Sequence, residues 1–147
     1  MAIIIDVPGF LTSVQDGGRY GLQQYGVTAA GAADQLSYAY ANLLVGNTNG
    51  EAALEATMLG PTLRFTQDTV FALTGADMDA KLNGRSIPRY QMLKAKADST
   101  LALGYAKAGC RAYIAFAGGI DVPLVMGSRS TFLRGKFGGF EGRKLEK

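Results

Sequence analysis

Nine residues near the start of the chain, Ser13 to Gly21 (SVQDGGRYG), gather an amide in Gln15, a carboxylate in Asp16, a guanidinium in Arg19 and three glycines. Adjacent Gly17 and Gly18 let backbone N–H groups come close to an anion, as in nests of successive amides. Arg19 has the planar fork that grips a carboxylate or phosphate in bidentate fashion, and Asp16 can orient that fork or accept a proton. The same residues also suit a tight polar turn, with Asp16 satisfying its own backbone and Arg19 pairing at the surface. Spacing alone leaves these two readings level. It does exclude a phosphate loop, whose glycine spacing and closing Lys-Ser/Thr are missing.

A second polar stretch, Gly127 to Arg143 (GSRSTFLRGKFGGFEGR), repeats the theme. Ser128, Ser130 and Thr131 offer hydroxyls around Arg129, and Gly138-Gly139 and Gly142-Arg143 supply further turns. Hydroxyls and arginines around glycine turns suit an oxyanion; a long polar loop with hydroxyls capping its turns would look the same. Three isolated polar residues stand out elsewhere. Asn42 sits in an apolar run, as a buried structural amide or a ligand contact. Asp34 has the type and position of a helix N-cap. Glu55, between Leu54 and Ala56, would be costly to bury unpaired. Its partner would be Arg19, Arg111 or a substrate cation, unless it lies on an exposed helix and has no role. Asp77 and Asp79, beside a hairpin, read as turn residues rather than as a carboxylate pair.

What is missing narrows the chemistry further. The chain has no histidine, which removes Ser-His-Asp and Cys-His catalysis and histidine-ligated metals. Acid–base work then falls to Asp, Glu, Lys or Tyr, and no metal site is expected. Cys110 is the only cysteine, so neither an intramolecular disulfide nor a cysteine zinc cluster can form; at the mouth of an apolar run, it reads as a small buried hydrophobe. A net charge of +3, scattered except near the end, is a poor case for nucleic acid. The local excess of Arg134, Lys136, Arg143, Lys144 and Lys147 over Glu141 and Glu146 reads as a solvated tail. No window approaches the roughly 18 apolar residues of a membrane span, and no leader precedes AIIIDVPGF, so the cytoplasm is the expected compartment.

These residues need a scaffold, and most of the 147 positions read as short strands punctuated by glycine. Ile3–Val7, Thr62–Phe65, Thr69–Gly75, Asp79–Ile87, Thr100–Gly104 and Arg111–Gly119 are the predicted strands, with a two-residue hairpin turn at Asn83-Gly84. One segment breaks the habit. Leu36, Tyr40, Leu43 and Leu44 recur at helical spacing, Asp34 can cap and Gly46 can stop, so Asp34–Val45 is the one predicted helix. Glu51–Leu59 stays open between helix and strand. Length and composition suit one self-sufficient domain, mainly β, closer to a barrel than to a sandwich.

Taken in order, SVQDGGRYGLQQYGV, GAADQLSYAYANLLVGN, LEATMLGPTLRF, TGADMDAKLNG and GCRAYIAFAGGIDVPLVMGSRSTFLRGKFGGFEGRKL resemble the family of the 5-oxoprolinase C component. This family, also called biotin-dependent carboxyltransferase or allophanate hydrolase subunit 2, includes the Kip antagonist. The resemblance runs from Gly9 to Leu145 and implies a cyclophilin-like closed β-barrel. It implies two partners, a Kip inhibitor-type subunit and a lactam-utilisation-type subunit, and ATP-dependent opening of 5-oxoproline by the complex. Two alternatives come with the family. One is the carboxyltransferase part of a urea amidolyase, taking a carboxyl group from biotin carried on another domain. The other is a non-catalytic regulatory module like the Kip antagonist.

On this reading Asp16, Arg19 and Glu55 form the catalytic group. Gln15, Gly17, Gly18, Asn42, Ser128, Arg129, Ser130, Thr131 and Arg143 contact a small amide substrate. Two departures are mild: the family's GAMD stands here as Gly31-Ala32-Ala33-Asp34, and a Gly-Asp turn as Ala97-Asp98-Ser99. A larger one is length, since members run to roughly twice this size and the chain matches their first half. Exposed strand edges left by the absent half predict self-association.

Overall fold

The structure is a computed structural model that describes residues 3–48 and 50–147. Ten strands and one α-helix follow in chain order: β1 (Ile3–Val7), β2 (Leu11–Gln15), α1 (Gln35–Leu44), β3 (Ala53–Thr57), β4 (Thr62–Phe65), β5 (Thr69–Asp77), β6 (Lys81–Leu82), β7 (Arg85–Ser86), β8 (Met92–Ala95), β9 (Thr100–Ala102) and β10 (Ala108–Phe116). They form two antiparallel five-stranded sheets, ordered β1-β4-β9-β6-β7 and β2-β3-β10-β5-β8. The protein is thus mainly β with one helix, and the Asn83-Gly84 hairpin joins β6 to β7 as expected.

The closed barrel is not what the pairing shows. No ladder joins the named strands of one sheet to those of the other, so each sheet keeps two ends. Pro8-Gly9 turns the chain out of the first sheet into the second, and proline has no N–H with which to extend a ladder. The outer edge of β2 is instead met by the C-terminal segment, where the Thr131 and Leu145 amides donate to the Val14 and Thr12 carbonyls. With that edge covered, β2 need not pair with β1.

The main core lies between the sheets. Leu54, Leu63, Phe65, Phe71, Ile114 and Phe116 are among its buried side chains, and the Phe65 ring stands 5.3 Å from Phe71 and 6.1 Å from Phe116. The second sheet is covered on its other face too, where Tyr38 and Ala41 of α1 pack on Ala53, Ala72, Tyr113 and Ala115. All five residues of β3 are therefore buried. That explains why Glu51–Leu59 could not be read from its pattern: a strand covered on both faces loses its polar–apolar alternation, and its alanines then look helical.

The helix is capped as expected, Asp34 Oδ1 accepting from the Ser37 amide and Oδ2 from its hydroxyl. Its orientation is less obvious. Of the stripe that marked it in the sequence, Leu36, Tyr40 and Leu43 are 70%, 48% and 70% exposed and only Leu44 packs toward the sheet, while Ser37, Tyr38, Ala41 and Asn42 face inward. The inward face is short and polar because the alanine wall of the sheet admits a close approach and the polar groups find partners. Tyr38 and Asn42 both donate to the Glu51 carbonyl, and the Ser37 carbonyl accepts from Thr74. A direct check follows. Ala41→Leu should destabilise the chain by about 1–3 kcal/mol through overpacking, whereas Leu43→Gln should stay within about 0.5 kcal/mol of the parent; urea denaturation of both measures the contrast.

Candidate functional site

Asp16 follows directly on β2, with its side chain buried against the C-terminal loop. Its Oδ1 accepts from the Ser128 and Ser130 hydroxyls at 2.6 Å each and from the Gly18 amide at 2.9 Å. Oδ2 accepts from the Arg129 amide at 2.7 Å. Burial alone would push the carboxyl up, but these hydrogen bonds together outweigh it and hold Asp16 below the usual carboxylate range. The two polar glycine stretches of the sequence therefore meet within this chain.

Arg19 is 2% exposed and works on the same loop with opposite polarity. Its Nε donates to the Val125 carbonyl, and Nη2 donates to those of Ser128 and Ser130. The guanidinium lies over the Phe137 ring, 5.0 Å from the centroid. Nη1 is buried without a hydrogen-bond partner. Burial draws the guanidinium below its ordinary pKa, and the charge of Asp16 opposes that. Gly138 completes the packing: a Cβ there would collide with the Ser130 carbonyl and lie 2.8 Å from Arg19 Nη2. Instead of holding an exogenous anion, Arg19 holds carbonyls of the chain itself.

The remaining expected contacts divide. Gln15 joins the cluster, donating to the Ser13 hydroxyl and the Thr131 carbonyl and accepting from the Gly31 amide. Thr131 donates to the Val14 carbonyl, and the Arg129 side chain reaches the Val122 carbonyl. Gly17 and Gly18 form the turn between Asp16 and Arg19. Asn42 stands apart, its amide bonded to the Glu51 carbonyl and to Asn47. Arg143 also lies elsewhere, paired with Glu141 and Glu146 over the Phe140 ring.

Glu55 opens on a different region. Its Oε2 accepts from the Tyr113 hydroxyl at 2.7 Å and the Ala33 amide at 2.9 Å, and Oε1 faces Arg111 Nε at 3.7 Å. Arg111 is thus the partner, not Arg19. Burial raises the Tyr113 hydroxyl well above its ordinary pKa, and the Glu55 carboxylate adds to this against the opposing Asp34 amide. Tyr113 stays protonated and donates. The apolar run AYIAF conceals it in the sequence, although it is the one side chain there with a hydrogen-bonding group.

Beside Glu55 lies a cavity of about 390 Å³ lined by Asp34, Ser37, Arg89, Tyr90, Cys110 and Arg111, among others. Cys110 is exposed here rather than buried, with Sγ 3.6 Å from Met58 Sδ. The register of β10 against β5 is irregular between Ala108 and Ala112, and residues 108–111 of the strand are exposed. That carries the thiol out of the core. The cavity rim is tied back to the Asp16 cluster by consecutive amides: Gly31 donates to Gln15, Ala32 to the Asp16 carbonyl, Ala33 to Glu55 and Asp34 to Tyr113.

Residues 25–147 match the profile of the family described as carboxyltransferase domain, subdomain A and B. The chain belongs to this family. It is 47% identical over 138 residues to the C component of 5-oxoprolinase from Escherichia coli, covering 94% of this chain and 44% of that protein. It is 44% identical over 146 residues to urea amidolyase of Saccharomyces cerevisiae, covering 99% of this chain and 8% of that one. The crystal structure of Kluyveromyces lactis urea carboxylase superposes with a TM-score of 0.97 at 42% identity, over 99% of this chain and 13% of the other. This carboxyltransferase domain therefore spans less than half of the Escherichia coli relative. Among the described residues, no helix is long and apolar enough to cross a membrane, and no three His, Cys, Asp or Glu side chains converge as a metal site needs.

Two expectations follow for the buried groups. Asp16→Ala would strand two hydroxyls and two amides and should cost at least about 3 kcal/mol in chemical denaturation. A carboxyl depressed by folding stabilises above its unfolded pKa of about 4 and loses that contribution as pH falls toward its folded value. Asp16→Asn should accordingly flatten the acid limb of the stability–pH curve relative to the parent. Tyr113→Phe removes a donor to Glu55 and an acceptor for the Asp34 amide together, and should lower stability by about 1–3 kcal/mol.

Proposed function

We propose that this chain is the amide-binding part of the C component of an ATP-dependent 5-oxoprolinase, a complex that opens a lactam ring. The observation that supports it most is the 47% identity to the Escherichia coli protein, spread over 94% of the chain rather than confined to one motif. The partners proposed are a Kip inhibitor-type subunit and a lactam-utilisation-type subunit, with ATP handled through the complex. The residues here do not fit ATP by themselves: the glycine turn after Asp16 is no phosphate loop, and its Gly18 amide points at Asp16.

Within that reading the expected catalytic group separates by role. Glu55 lies behind two residues of the cavity lining, Ala33 and Arg111, and is the carboxylate that would accept a proton or an amide N–H from a substrate that reaches it. Tyr113 and the Ala33 amide fix its Oε2, leaving Oε1 toward Arg111. Asp16 and Arg19 act as positioning residues, setting the loops from which the cavity rim is built. Ser128, Ser130 and Thr131 serve them and are 0%, 0% and 3% exposed.

A second reading has its own support. The family description and the likeness to urea carboxylase favour a carboxyltransferase half-site, with biotin carried on another domain. Co-expression with the two proposed partner subunits separates them. A purified complex should hydrolyse ATP only when 5-oxoproline is present, and Glu55→Gln should slow this about 100-fold or more with assembly intact. An assembled complex without 5-oxoproline-dependent hydrolysis would refute the first reading; urea-dependent consumption of carboxybiotin would establish the second.

A further inference from the structure

We infer that the cavity between α1, β5 and the exposed first residues of β10 is a binding site for a small oxyanion, a carboxylate or a phosphate, gripped by Arg89 and Arg111. The inference deepens the reading above by naming the ligand's class, and rests on it only in taking this cavity as the place of the substrate.

The donors are there and are largely uncommitted. Arg89 is exposed and oriented, with Nη1 donating to the Gly75 carbonyl at 2.5 Å and the guanidinium 5.7 Å from the Tyr90 ring centroid. Arg111 has one carboxylate near it, and at 3.7 Å from Glu55 Oε1 the contact is too long for a hydrogen bond. Its side chain is 41% exposed, against 11% for Glu55. Five N–H groups on each guanidinium are more than these contacts use.

The acidic residue that lines the cavity, Asp34, and the one behind the lining, Glu55, are by contrast occupied by the protein. Both oxygens of Asp34 are bound to Ser37, through its amide and its hydroxyl. Glu55 Oε2 takes two hydrogen bonds from Tyr113 and Ala33. Negative charge is thus engaged along the wall while two planar cationic forks face the open volume. Such forks select oxyanions by geometry as well as charge. A volume of about 390 Å³ suits a small molecule. An amide that also carries a carboxylate, such as 5-oxoproline, would answer both arginines; a neutral amide such as urea brings no charge for them to grip.

Cys110, exposed on the same wall, is a built-in reporter. Its alkylation by iodoacetamide would be followed by mass spectrometry on the whole chain with 5-oxoproline, with 2-pyrrolidone (the same ring lacking the carboxylate) and with inorganic phosphate. An oxyanion site predicts protection by at least about threefold from an anion and none from 2-pyrrolidone. Protection by 5-oxoproline alone assigns a carboxylate ligand, by phosphate alone a phosphoryl ligand, and by both the shared oxyanion chemistry. In the Arg89→Gln/Arg111→Gln variant, built at two exposed positions and checked for folding by circular dichroism, protection should vanish. The iodoacetate-to-iodoacetamide rate ratio should also fall by about threefold or more. Equal protection by 2-pyrrolidone, protection by neither anion, or protection that survives in the double variant would overturn the inference. A complex with 5-oxoproline-dependent ATPase and an unchanged KM in that variant would overturn it too, while leaving the proposed function standing.

Discussion

A carboxylate taken out of water must be satisfied where it lies, and Asp16 is the group on which this molecule depends in that respect. Four hydrogen bonds reach it, three of them from a loop more than a hundred residues away in sequence. Arg19 takes the carbonyls of that loop while Asp16 takes its amide and hydroxyls, so the segment from Val125 to Ser130 is gripped by both polarities at once. Each side chain is committed to the loop rather than to the other. Neutralising either would leave backbone groups without partners in a region closed to solvent, so the cost would fall on many atoms together.

The grip extends to the cavity through the segment that leads into α1. Four successive amides, from Gly31 to Asp34, each end on a different group: a side-chain amide, a backbone carbonyl, a carboxylate and a phenol. None of these contacts has the geometry of regular secondary structure, yet together they fix where the helix begins. The start of α1 is one wall of the cavity, so Gln15 and Asp16 shape a surface that neither of them touches. Polar residues close together in sequence can thus serve a site by holding it rather than by lining it.

How far the sequence could be read follows from the same physics. Ile3–Val7, Thr62–Phe65 and the Asn83-Gly84 hairpin were readable because propensity and turn chemistry agree locally there. β3 was not, since sheet and helix cover both its faces and erase the alternation. The helix was readable in extent but not in orientation: Leu36 and Leu43 face solvent because the wall it packs on is made of alanine and tyrosine. That the SVQDGGRYG turn and Ser128–Thr131 belong together was implied by the family resemblance, which put both against one substrate. The cavity was not, because Arg89, tied to Gly75 of β5, meets Cys110 and Arg111 only through the pairing of β5 with β10. Cys110 was misplaced for a related reason, as nothing local marks the irregular register of β10 against β5 between Ala108 and Ala112.

The sequence distance spanned by the Asp16 cluster also has a consequence during synthesis. Ser128 and Ser130 lie 112 and 114 residues beyond Asp16, so at ribosomal rates their hydroxyls emerge roughly 5 to 25 s after the carboxylate. Through that interval β2 has an open outer edge and Arg19 has no loop to hold, while the strands emerge in turn, β10 (Ala108–Phe116) only near its end. The groups that close the cluster are thus made only after every named strand of the two sheets. A stall before residue 128 would release a sheet with one bare edge, the form that a chaperone or a neighbouring strand would meet first.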